Sequence, residues 1–222
     1  MDIKAFDKMN YGLYIVSTKS GDQTAGCVVN TLTQATVQPA RLLVTIHKDN
    51  QTERLIEESG VFAAVALAQS AQMELIGDFG FRCSRDLDKF ANWAHTEDEN
   101  AVPYLTEQTV ARYSCRVVGK LDAGTHMVFL GEVQEAQVLE EEDAMTYAYY
   151  HLVKKGLTPP KASSYRPEPA VKGYRCKICG YVLESDTLPE FHMSHLQTRF
   201  RSFRACLSRV EFAPTGGQGK LL

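Results

Sequence analysis

Residues 25–52 read AGCVVNTLTQATVQPARLLVTIHKDNQT, and the second half of this stretch sets the pattern for the domain. The run RLLVTIHK over 41–48 is rich in Val, Ile and Leu and predicts a strand. Directly after it Asn50 is placed to cap a helix QTERLIEE over 51–58. A strand that runs into a helix N-terminus bearing Lys48, Asn50 and Thr52 is a ready site for an anion, because unpaired backbone N–H groups and a cation converge there. The bland alternative is ordinary capping by Asn50 beside a solvated Lys48. Upstream, Asn30, Thr31, Leu32 and Thr33 form a mixed polar and apolar segment before a turn at Pro39.

Working outward, YGLYIVST at 11–18, VFAAVAL at 61–67, and residues 109–121 and 125–139 are further strands bounded by turn residues. Short helices are predicted at 71–79 (AQMELIGDF) and 143–155 (DAMTYAYYHLVKK), the latter ending at Gly156. The expected class is mainly β with short helices, and helices that interrupt a meander favour a closed or split barrel over a doubly wound sheet. No G-x-G-x-x-G follows a strand, so a Rossmann site is not indicated.

At 222 residues and 44% hydrophobic the chain can bury a core. A net charge of -3 with interspersed signs lacks the basic stripe that nucleic acid requires. No apolar run approaches the roughly 20 residues that span a bilayer, and MDIKAFDKMN lacks a signal-peptide core, so a cytoplasmic location is expected. Cys27 and Cys115 lie in strand-like surroundings as small buried hydrophobes. Four of the eight prolines fall in LTPPKASSYRPEPAVK, which divides the chain into 1–157, a Pro-rich spacer at 158–172, and a tail at 173–222.

The stretches YGLYIVSTKSGD, AGCVVNTLTQATVQPARLLVTIHKDNQT, FGFRCSRDLDKF, LDAGTHMVFLGEV and MTYAYYHLVKKG together resemble the flavin reductase-like, FMN-binding split-barrel family, most closely the flavoredoxin-like domain of high-molecular-weight rubredoxins. The resemblance implies that Asn30, Thr31, Leu32 and Thr33 line the flavin ring and ribityl chain. It also implies that His47, Lys48, Asn50 and Thr52 serve the phosphate, with Ser84 and Arg85 as further contacts. It implies NAD(P)H as donor, FMN as cofactor, an electron acceptor such as a flavodiiron protein, and a homodimer. No single catalytic acid is needed, because the flavin performs the chemistry. The cluster Tyr147, Tyr149, Tyr150 and His151 reads as core or as dimer interface.

The tail opens with GYRCKICGY at 173–181, resembling the first knuckle of rubredoxin, in which Cys176 and Cys179 would bind iron. After Leu188, Pro189, Glu190 and Phe191 the second C-P-x-C pair is missing, and His-Met-Ser-His-Leu-Gln stands in its place. Phe-His-Met-Ser-His-Leu-Gln can be encoded TTT CAT ATG TCC CAT TTG CAA, whose neighbouring frame reads Phe-Ile-Cys-Pro-Ile-Cys. The tail is therefore expected to derive from a frameshifted coding sequence and to be aberrant after about residue 190. A rival reading joins Cys176, Cys179, His192 and His195 in a zinc site, which would make the chain a non-enzymatic flavin- or zinc-binding interaction module.

Overall fold

A computed structural model describes residues 2–159, 162–165, 171–176, 182–183 and 207–212. A 3-10 turn, Ile3–Lys8, leads into strands β1 (Tyr14–Ser20), β2 (Gln23–Val29), β3 (Thr33–Val37) and β4 (Ala40–His47). Then come α1 (Gln51–Ser59), β5 (Val61–Leu67), α2 (Met73–Phe81), the ribbon β6 (His95–Glu97) and β7 (Pro103–Leu105), and the long hairpin β8 (Thr109–Asp122) and β9 (His126–Val138). α3 (Tyr147–Leu152) follows, and β10 (Val171–Cys176), β11 (Val182–Leu183) and β12 (Leu207–Phe212) make a separate small sheet.

The main sheet has seven antiparallel strands in the order β2-β1-β5-β8-β9-β4-β3. Its two edge strands, β2 and β3, are consecutive in the chain and joined by Asn30, Thr31 and Leu32 alone. Six inter-strand spacings would put the edges of a flat sheet about 29 Å apart, whereas four residue steps reach at most about 14 Å. The sheet must therefore curl until its edges meet around residues 30–32, giving the mainly β, partly closed barrel that the strand meander predicts.

Alternation fills the barrel. Leu42, Val44 and Ile46 of β4 point inward with Val16, Cys27, Phe62, Ala64, Cys115 and Phe129. β5 is buried on both faces, since Val65 and Leu67 turn outward under α2, against Leu75, Ile76 and Phe79; hence its unbroken apolar sequence. Gly131 of β9 is required by contact, because a Cβ there would lie 2.6 Å from the Phe62 ring and 2.9 Å from Cys115.

Two strands are weakly marked in the sequence. β3 (TQATV) is exposed at all five residues and carries no apolar signal, and β2 (QTAGCVV) buries Ala25, Cys27 and Val29 behind a polar start. The expected helix at 143–155 shrinks to Tyr147–Leu152 because its first residues join the sheet: Ala144 bridges Ala68, Thr146 bridges Gly12, and Met145 N–H donates to Leu67. Of the aromatic cluster, Tyr150 is fully buried, and Tyr147 and Tyr149 pack against the same core.

The chain leaving α3 packs back against that helix before the Pro-rich stretch at 158 begins. Gly156 lies against the Tyr150 ring so closely that a Cβ would sit 2.0 Å from it, and the Tyr150 hydroxyl donates to Leu157 O at 2.9 Å.

Candidate cofactor corner

The loop between β2 and β3 and the turn between β4 and α1 meet at one corner of the barrel. β4 alternates until His47, and the chain then turns because Lys48 N–H donates to Thr125 O and Asn50 N–H to His47 O. Asn50 is the N-cap of α1: its side chain accepts from Thr52 N–H at 3.1 Å, and extended φ/ψ fit the role. Gly60 closes the helix at φ 71°. The helix is thus held with its N-terminus at the corner, beside Asn30 and Thr31.

The sequence-predicted residues fall into three groups. Asn30 is buried, Thr31 donates its hydroxyl to Thr45 O at 2.9 Å, and Leu32 is buried while Thr33 is exposed. Asn30, Thr31, His47 and Asn50 line one cavity together with Cys27. Thr52, in the first turn of α1, is wholly buried, and its hydroxyl meets the Cys27 thiol, a weak partner that leaves much of its hydrogen-bonding capacity unused. The Cys27 thiol lies against Thr52 and Asn50, and burial pushes its pKa up, keeping it neutral.

Lys48 is turned outward, donating to Asp122 at 2.6 Å across the mouth of the β8–β9 hairpin. That hydrogen bond, with a second from Gly124 N–H, holds the Asp122 carboxyl below the usual range. Ser84 is tied to β2: it accepts from Gly26 N–H at 3.2 Å and donates to Gly26 O at 3.4 Å, while Arg85 is exposed. The neighbouring Lys89 is buried and donates to Gly26 O and Phe79 O at 2.8 and 3.0 Å; burial lowers its pKa to about 8.

His126 carries no local sequence signal and is brought in by pairing. β4 and β9 place it opposite His47, with ring centroids 4.9 Å apart and edge to face, and its Nδ1 is 2.8 Å from the Thr125 hydroxyl. The register, not the motif, sets the pair beside the helix N-terminus.

The donor set suits a phosphate dianion: a helix N-terminus, a buried hydroxyl whose present partner is a weakly bonding thiol, and a lysine that needs only to exchange one exposed carboxylate. A second, more open cavity of about 250 Å³ lies beyond Leu32, lined by Tyr14, Tyr113 and Arg41. Cys176 ends β10, whereas Cys179, His192 and His195 lie outside the described residues. Among the described residues no His, Cys, Asp and Glu cluster suited to a metal forms, and no helix is long and apolar enough to cross a membrane.

Comparisons with known proteins bear on this corner. Residues 6–157 match the Flavin reductase like domain family. The chain is 40% identical to a high molecular weight rubredoxin of Moorella thermoacetica over 191 residues, 83% of each chain. It is 41% identical to a ferric-chelate reductase (NAD(P)H) of Archaeoglobus fulgidus over 165 residues, 74% of this chain and 98% of that one. In fold it is similar to a NADH:FAD oxidoreductase of Streptomyces globisporus, at TM-score 0.60 and 22% identity over 66% of this chain and 86% of the other. It is likewise similar to a flavin reductase complexed with NADP+, at TM-score 0.57 and 20% identity over 65% and 90% of the two chains.

Proposed function

The chain belongs to the flavin reductase-like family of oxidoreductases, and from that premise we propose that it takes electrons from NAD(P)H through FMN bound at the corner of residues 30–33 and 47–52. The observation that carries this is the corner itself, where Asn30, Thr31, His47 and Asn50 line one cavity at the N-terminus of α1, beside a lysine and a buried Thr52 hydroxyl whose partner is the weak Cys27 thiol, in a chain whose family match spans that corner. A bound flavin supplies the change between two-electron and one-electron transfer. The protein's part is to hold and orient it. Lys48, Thr52 and the first N–H groups of α1 grip the phosphate, and Asn30 and Thr31 present small polar groups to the ring and ribityl chain. The pairing of β4 with β9 sets His47 and His126 side by side at the rim.

The relatives suggest two sinks for the electrons, a ferric chelate or a rubredoxin-type iron centre feeding a partner such as a flavodiiron protein. In this chain only Cys176 and Cys179 have knuckle spacing, so an internal four-sulfur iron site is not expected and the acceptor is external. Iron uptake with a sulfur-only X-ray absorption signature would refute that part. Zinc at the tail is a second reading, which elemental analysis decides. We also propose a homodimer, with the face of exposed β3 and the open cavity beside Arg41 as the contact; light scattering showing monomer at micromolar concentration would contradict it.

The test of the activity is anaerobic titration of FMN-loaded protein with NADH and with NADPH. Stoichiometric bleaching of the visible flavin band by either is the expected result. Flavin that binds but is reduced by neither makes the chain a flavin-binding module instead.

A further inference from the structure

The segment that follows α3 runs back over the candidate cofactor corner. Ser164 accepts from Asn30 Nδ2 at 3.0 Å, and Ser163 donates to Asn30 Oδ1 at 3.4 Å. The Tyr147 hydroxyl anchors the same segment twice, bonding Thr158 and, at 3.0 Å, Ser164. His151 fixes its start through Gly156 O at 2.8 Å. The turn is internally bonded as well, from Ala162 N–H to Pro159 O and from Tyr165 N–H to Ala162 O. These residues follow the stretch that matches the family, which ends at 157.

Ala162 and Ser163 form one wall of the cavity whose other walls include Asn30, Thr31, His47 and Asn50. With that wall in place the enclosed space is about 30 Å³. A water-sized group fits, whereas sites for cofactor-sized molecules occupy several hundred cubic ångströms, roughly 300 or more. The strap and a flavin at this corner therefore exclude one another unless the strap swings outward. Its anchors are few side-chain hydrogen bonds to a rigid helix and to one buried amide, so it can release without disturbing the barrel core.

We propose that residues 157–159 and 162–165 form a gate over the cofactor corner, latched by Tyr147 and Asn30 in the flavin-free protein, that must open to admit the flavin and so slows its association and weakens its apparent affinity. The proposal rests on the flavin reading of the corner and adds its regulation. Because latch and flavin compete for the same space, the latch is already broken in the flavin-bound state, and it acts on entry and on the apparent Kd rather than on departure.

The experiment uses the full chain and two conservative variants, Tyr147→Phe, which removes both hydroxyl bonds while keeping the ring, and Ser164→Ala, which cuts the link to Asn30. Association of FMN is followed by stopped-flow quenching of flavin fluorescence, and dissociation by capture with excess apoflavodoxin. One lost hydrogen bond shifts an opening equilibrium about fivefold, so in each variant the association rate constant is expected to rise and the apparent Kd to fall by about fivefold, with dissociation little changed. Hydrogen exchange at the Ala162 and Tyr165 amides should accelerate in the variants before any flavin is added. Unchanged rates in variants that bind FMN and exchange those amides faster would overturn the gate while leaving the flavin site standing. Faster dissociation with unchanged association would make the strap a wall of the bound state and also overturn it. Failure of the parent protein to bind FMN removes the flavin reading and the gate with it.

Discussion

Replacing Lys48 with Ala should weaken FMN while leaving riboflavin untouched. Lys48 Nζ lies 2.6 Å from Asp122, both side chains are partly solvated, and such a pair holds the lysine only loosely. A phosphate dianion offers a stronger partner: a charge-assisted hydrogen bond contributes about 1.5–3 kcal/mol. Part of this is offset by giving up Asp122 and by screening, which leaves about 1–2 kcal/mol, or roughly fivefold to thirtyfold in Kd. Asp122→Asn should act in the opposite sense. The amide oxygen can still accept from Gly124 N–H, so the turn survives, but Lys48 is freed and FMN affinity should hold or rise, by up to about fivefold. Parallel fluorescence titrations with FMN and riboflavin at two salt concentrations decide the matter. Equal loss of both ligands in Lys48→Ala, or a weaker FMN complex in Asp122→Asn, would refute the assignment of Lys48 to the phosphate.

Thr52→Val should split stability from binding: it removes a buried hydroxyl whose partner is only the weakly bonding Cys27 thiol, so urea denaturation should find the variant about as stable as the parent, while FMN binds more weakly. Gly131→Ala drives a methyl into the fully buried Phe62 and Cys115 and should cost about 1–3 kcal/mol in the same denaturation assay; a loss under about 0.5 kcal/mol would show that the barrel yields at that point. For Lys89, folding lowers the pKa to about 8 from an unfolded value near 10.4. Between these pH values the unfolded chain binds more protons, so a burial penalty present below about pH 8 is relieved as pH rises, by up to about 3 kcal/mol. Stability of the parent relative to Lys89→Met should therefore increase from pH 8 to 10, and a flat difference across that range would contradict the buried charge.

Much of the corner is legible in the amino-acid sequence because its parts are local. The strand over 41–48 and the helix over 51–58 announce themselves by alternation and by the Asn50 cap, and they form β4 and α1 within a residue or two. β3 is not legible, since this edge strand buries none of its residues and so carries no hydrophobic period, and in β2 the buried Ala25, Cys27 and Val29 are small and follow a polar start. His126 meets His47 only through the long-range register of β4 and β9. The burial of Lys89 depends on two carbonyls from different elements, Gly26 and Phe79. The Pro-rich composition of 158–172 suggests an extended spacer and says nothing of Tyr147 or Asn30, the partners that hold its first residues down.

Flavin binding at the corner between the β2–β3 loop and the start of α1 is the claim on which the function and the gate both depend. The most direct measurement is a titration of isotopically labelled full-length chain with FMN, followed by amide NMR. One FMN per chain should shift the amides of residues 30–33 and 47–52 first and most, and those of 162–165 with them. Shifts gathered instead around Tyr14, Arg41 and Tyr113, at the larger cavity, would contradict it.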